Sequence, residues 1–250
     1  MLIMLFLWAL GLRQRNFSYV DLGWSANFAV LALIYGLLGN GDPTRRLLIC
    51  GMYALWGVRL ALHLAARIVG EPEEGRYAQL RTQWGATGSV PLKFLGFFQL
   101  QALLNIVLGM PMLLAAVNPT AGLHALEVAG LGVWTLALVG ESVADHQLKA
   151  FKRDASGRGG EGAVCDVGLW GWSRHPNYFF EWIIWIGYAL FALASPHGWL
   201  ALGAPALMLY FLLNVTGKKL LEKRMTRARP DYAAYVARTP GFFPWFPRGS

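Results

Sequence analysis

The sequence predicts an all-α integral membrane protein of about seven transmembrane helices, with its N-terminus outside and its C-terminus in the cytoplasm. Three observations carry this reading. Of 250 residues, 56% are hydrophobic and only 14% charged, which leaves too little polar surface to clothe a water-facing body of that size. Mean hydropathy is +0.41. Apolar runs approaching the length that crosses a bilayer, about 20 residues, recur along the chain and are separated by short segments carrying Lys and Arg. The same composition excludes a disordered chain. A net charge of +8, dispersed over those short segments, speaks for membrane topology and against nucleic-acid binding. Cys50 and Cys165, the two cysteines, form neither a disulfide framework nor a CxxC metal motif.

In chain order the expected spans are residues 1–12, 20–38, 47–69, 92–117, 123–143, 178–194 and 199–215. The first lacks the basic start and small-residue cleavage site of a signal peptide, so it reads as a short or tilted helix. Arg13 and Arg15 lie in the first gap, Arg45 and Arg46 in the second, Arg76, Arg81 and Lys93 in the third, and Lys149, Lys152, Arg153, Arg158 and Arg174 in the fifth, with none in the fourth or sixth. Together with the basic segment after Val215, these place the odd-numbered gaps and the tail on the cytoplasmic side. Gly249 and Ser250 read as a tag remnant.

Ionisable residues within or beside these spans are costly in lipid and are therefore functional candidates. Arg59, His63 and Arg67 recur every four residues and line one helical face; the last two suit interfacial snorkelling equally well. Asp21 opens the second span and serves either as a helix cap or as an acid. Glu141, Asp145, Lys149 and Lys152 share a face at the exit of the fifth span. The glycine-rich loop 157–162 after it suits either a phosphate contact or a flexible linker. In Ser173-Arg174-His175-Pro176-Asn177-Tyr178 the proline suits a first helical turn, so the sixth span should start there, with Asn177 and Glu181 one turn apart on one face.

Those last residues, read with Asp145-His146-Gln147-Leu148-Lys149 upstream and Glu181-Trp182-Ile183-Ile184-Trp185-Ile186-Gly187-Tyr188 downstream, resemble the steroid 5α-reductase family, in the branch catalogued as a domain of unknown function. The resemblance implies a single membrane-embedded reductase domain over residues 1–250, with residues 1–120 mainly on the substrate side and 121–248 mainly on the cofactor side. It further implies a place in the bacterial inner membrane, with the cofactor site facing the cytoplasm. The implied activity is NADPH-dependent reduction of the carbon–carbon double bond of an enone such as a 3-oxo-Δ4 steroid. Asp145, Asn177 and Glu181 would hold the nicotinamide and ribose. Arg59, Arg67, Lys149, Lys152, Arg174, His175, Tyr178 and Lys219 complete the implied cofactor contacts. Asp21 stands where the family has its active-site glutamate. Trp56 falls near the family's substrate-binding tyrosine and cannot protonate a ketone, whereas Tyr53, one turn earlier, carries a hydroxyl. The aromatic residues of the first spans, Trp24, Phe28, Tyr53 and Trp56, suit a flat lipophilic substrate entering from membrane lipid, with Trp24 and Trp56 binding it. No obligate protein partner, nucleic acid or metal is implied.

A rival of another reaction class is an S-adenosylmethionine-dependent membrane methyltransferase of the isoprenylcysteine carboxyl type, which shares an Arg-His-Pro-x-Tyr segment at a helix start. That group shows paired glutamates after its last span, whereas this chain offers Glu222 alone in Lys218-Lys219-Leu220-Leu221-Glu222. A channel would need a polar face running through a span; here the polar groups gather toward the cytoplasmic half.

Overall fold

The computed structural model describes residues 1–85, 89–157, 163–215, 218, 221–222, 225–226, 229 and 231–246. Among these the chain is all helical, with no strand. The helices are α1 (Leu2–Gln14), α2 (Tyr19–Leu38), α3 (Pro43–Ile68), α4 (Gly75–Gln83), α5 (Val90–Leu108), α6 (Met110–Ala116), α7 (Ala125–Gly157), α8 (Leu169–Trp172), α9 (Pro176–Ala192), α10 (Gly203–Tyr210) and α11 (Tyr232–Arg238). A 3₁₀ turn (Gly198–Leu202) leads into α10, and a π turn (Phe211–Val215) follows it.

Among the described residues five segments are long and apolar enough to cross a membrane: Tyr19–Leu38, Pro43–Ile68, Val90–Leu108, Ala125–Asp154 and Gly198–Val215. Two of the seven expected spans are shorter. Helix α1 has 13 residues and α9 has 17, about 20 and 26 Å at 1.5 Å per residue. The expected continuous span over residues 92–117 is instead two helices. Pro111 sits in the first turn of α6, and a proline inside a longer helix would lack its own N–H and crowd the carbonyl four residues back. The chain therefore turns at Gly109, whose N–H still reaches the Asn105 carbonyl at 2.8 Å.

The chain divides into two compact units, residues 1–123 with 195–200, and residues 124–194 with 201–250. In the first, α2 and α3 pack against each other, and a core of Met4, Phe17, Val20, Tyr77, Phe94 and Phe98 joins α1, α4 and α5. Phe17 stacks on Phe94 with centroids 3.9 Å apart. Asp42 caps α3 by accepting the Arg45 N–H at 3.0 Å, with Pro43 following in the first turn as helix starts favour. Arg45 does not face water as a loop cation would: it is 1% exposed and donates to the carbonyls of Asn118, Thr120 and Gly122.

In the second unit α7 and α9 run antiparallel in close contact. A Cβ on Gly130 would lie 2.5 Å from the Phe191 backbone nitrogen, and one on Gly187 would lie 2.7 Å from the Trp134 Cβ. Only hydrogen fits at either place. Small residues allow this approach where lipid offers no hydrophobic driving force between helices. The register these contacts set continues toward the start of α9, where Gly140 meets the Phe180 ring and Asp145 meets Asn177.

Candidate functional site

In the first unit the polar centre is Asp21. It does not cap α2; Ser18 occupies that position and Asp21 lies in the first turn. Its carboxylate is instead gripped from α4. The Tyr77 hydroxyl donates to Oδ1 at 2.7 Å, and the Arg76 guanidinium pairs with Oδ2 while lying 4.7 Å over the Tyr77 ring. The chain between α3 and α4 is tied down beside them. The Glu74 N–H donates to Ser18 Oγ at 2.9 Å, the Phe17 N–H donates to Glu73 Oε1 at 2.8 Å, and Arg81 pairs with Glu73 at 2.8 Å. Burial, and then the neighbouring Asp21 charge, push the Tyr77 phenol well above its ordinary value, so it keeps its proton throughout the physiological range. Tyr77 and Arg76 are the residues that sequence reasoning missed. They lie in a polar gap without apolar periodicity, where Arg76 read only as a topological charge.

Tyr53 is not beside Asp21. It is fully buried, its hydroxyl donates to the Leu108 carbonyl at 2.9 Å, and its ring packs on Phe28, which follows Asp21 by about 10 Å along the helix. Trp24, Phe28, Tyr53 and Trp56 do come together, with Trp24 and Trp56 centroids 5.9 Å apart. The rings pack on one another, and of the four only Trp24 retains partial exposure. Arg59 is half-buried on α3, whereas His63 and Arg67 are exposed. Arg67 pairs with Glu74 at 2.8 Å, a contact its interfacial reading accommodates.

In the second unit Asp145 of α7 meets Asn177 of α9. Asn177 Nδ2 donates to Asp145 Oδ1 at 3.3 Å, while its Oδ1 accepts the Tyr178 N–H at 3.0 Å. One turn deeper Glu181 is 8% exposed and accepts the Trp185 indole N–H at 2.9 Å. Glu141, one turn before Asp145, is 6% exposed. Lys149 and Lys152 are exposed on the continuation of α7. Lys219 and loop positions 158–162 lie outside the described residues, as do Gly249 and Ser250.

Arg174 and His175 meet the C-terminal tail. Arg174 Nε donates to Glu222 at 2.9 Å, and its Nη1 donates to the carbonyls of Val236 and Thr239. His175 is 2% exposed, lies against Tyr178 and places Nε2 3.1 Å from the same Glu222 oxygen; its buried Nδ1 has no hydrogen-bond partner among the described residues. The tail folds back over the start of α9. Pro240 accepts the Arg174 N–H at 2.9 Å, Phe242 accepts from Ser173 Oγ at 2.9 Å, and the Trp245 N–H reaches the Trp172 carbonyl at 3.0 Å. Arg174 thus latches the tail.

That latch sets a pH dependence. Burial alone would raise the Glu222 carboxyl, but hydrogen bonds from His175 and Arg174 outweigh it and hold Glu222 down at about 2. Burial pushes His175 below its ordinary 6.5 against the pull of Glu222. Both groups bind more protons unfolded than folded, so each stabilises at higher pH and loses that contribution as pH falls. The melting temperature in detergent should therefore drop first below about pH 6.5 and again between about pH 4.5 and 2. Glu222→Gln should flatten the lower step, and an unchanged profile in that variant would refute the latch.

The helices among the described residues that are long and apolar enough to cross a membrane, five of them, define an integral membrane protein. The chain belongs to the family described as protein of unknown function (DUF1295), whose model matches residues 7–239 and which includes steroid 5α-reductase-like membrane proteins. It is similar to the uncharacterized protein C594.04c of Schizosaccharomyces pombe, 28% identical over an alignment 274 positions long that covers 95% of this chain and 75% of the relative. No solved structure matches it. Among the described residues no group of three or more His, Cys, Asp or Glu side chains could hold a metal ion.

Proposed function

We propose that this chain is an NADPH-dependent membrane reductase that saturates the carbon–carbon double bond of an enone lipid, of which a 3-oxo-Δ4 steroid is the leading example. The observation that carries the reading is the Tyr77 phenol hydrogen-bonded to Asp21 at the start of an apolar helix. A phenol that donates to a carboxylate in the resting protein can donate the same hydrogen to a substrate carbonyl, while Arg76 continues to hold Asp21. Such a donor stabilises the charge that develops on the carbonyl oxygen as the β-carbon is reduced. Tyr77 replaces Tyr53 in this role, because the Tyr53 hydroxyl is engaged with Leu108. Trp24, half-buried at the edge of the aromatic cluster, suits a flat apolar molecule reaching Tyr77 from lipid.

The residues of the second unit fit a dinucleotide by their chemistry. Asp145, Asn177 and Glu181 offer carboxylate acceptors and an amide for ribose hydroxyls and a carboxamide, and the exposed Lys149 and Lys152 suit phosphate. When bound, NADPH supplies the hydride. Arg174 and His175 serve this site indirectly, by fixing the start of α9 that carries Asn177.

The test is cofactor-dependent stabilisation of detergent-purified protein. NADPH at about 100 times its Kd should stabilise the folded state by about 2.7 kcal/mol and raise the melting temperature more than NADH or S-adenosylmethionine does, with NADPH oxidation following on addition of an enone. Equal shifts for NADPH and NADH would show that Lys149 and Lys152 do not read the 2′-phosphate. A larger shift with S-adenosylmethionine would replace the reductase with the methyltransferase.

A further inference from the structure

In the first unit, further along α2 than Asp21, the exposed side of α2 and α3 carries an open apolar groove of about 530 Å³, within the roughly 300–1,000 Å³ typical of ligand sites. Its floor is made of small residues, Ala32 and Gly36 from α2 and Cys50, Gly51 and Ala54 from α3. A Cβ on Gly36 would touch Cys50, whereas one on Gly51 would meet nothing within 4 Å, so the trough is open along α3. Leu33, Leu37 and Leu47 stand 62%, 72% and 74% exposed on its flanks.

Arg46 also lines the groove, in the first turn of α3. One guanidinium nitrogen donates to the Gly39 carbonyl, and no carboxylate pairs with Arg46 among the described residues. A cation with donors to spare, beside the positive end of a helix dipole and against an apolar trough, complements a molecule with an anionic head and a hydrocarbon tail. We propose that this groove binds an anionic phospholipid, with an acyl chain along the small-residue floor and the phosphate at Arg46. A second copy of the chain fits less well, because a two-fold contact through this patch would bring the two Arg46 side chains onto one interface.

The experiment is native mass spectrometry of the full chain in detergent, titrated with phosphatidylglycerol and phosphatidylcholine of the same acyl composition. Phosphatidylglycerol should be retained about fivefold more strongly, the worth of one basic side chain at an anionic lipid surface. Arg46→Gln should remove that preference while leaving the weaker binding of both lipids. Gly51→Leu, whose Cβ would meet nothing within 4 Å, should weaken both lipids alike with the melting temperature unchanged. Equal retention of the two lipids by the parent, a preference that survives Arg46→Gln, or undiminished binding to Gly51→Leu would each overturn the assignment. Doubled mass with lipid excluded would hand the groove to a second copy.

Discussion

Tyr77→Phe should lower enone turnover by roughly 10²-fold or more, the scale on which a positioned acid contributes, while leaving NADPH binding intact. The variant removes one oxygen and keeps the ring beneath Arg76 and among Val20, Phe94 and Phe98, so its fold should survive. Asp21→Asn probes the same contact from the other side. Asn retains an oxygen able to accept from Tyr77 but loses the charge that Arg76 pairs with, so turnover should again fall by roughly 10². Because Ser18, not Asp21, holds the cap position of α2, this loss would not be one of helix capping. Cofactor affinity has to be measured beside turnover, so that a lost hydride donor is not mistaken for a lost acid. Parent-like rates in Tyr77→Phe with the cofactor bound would remove the phenol from the chemistry.

Glu181→Gln is the second large effect. The Glu181 side chain accepts the Trp185 indole N–H at 2.9 Å, and glutamine presents an oxygen at the same place, so the α7–α9 packing should hold. What disappears is a buried negative charge one turn from Asn177 and Asp145. If that charge holds the polar middle of the cofactor, the variant should lose most of its NADPH-dependent thermal shift and its turnover together, with little change in its own melting temperature. A full thermal shift with normal turnover would return Glu181 to a purely structural bond with Trp185.

The sequence by itself determined the helical class, the start of α9 and the shared face of Asn177 and Glu181, because each rests on a local rule. Apolar runs must satisfy their backbone internally in lipid, Pro176 marks a first helical turn, and a spacing of four puts Asn177 and Glu181 on one face whatever packs against it. Asp145 joined them through its resemblance to a known pattern, and the antiparallel register of α7 and α9 brings it onto Asn177. Tertiary structure alone decided the partners of Asp21, Arg174 and Tyr53. Tyr77 lies 56 residues from Asp21 and Glu222 lies 48 from Arg174, and both pairings depend on how polar, aperiodic segments fold back onto helix ends. The aromatic cluster shows the same division. Periodicity brings Trp24, Phe28, Tyr53 and Trp56 onto facing helices, but only their packing shows the rings closing on one another, with the Tyr53 hydroxyl turned to a backbone carbonyl, because a buried donor must find its acceptor wherever the neighbouring helix happens to expose one.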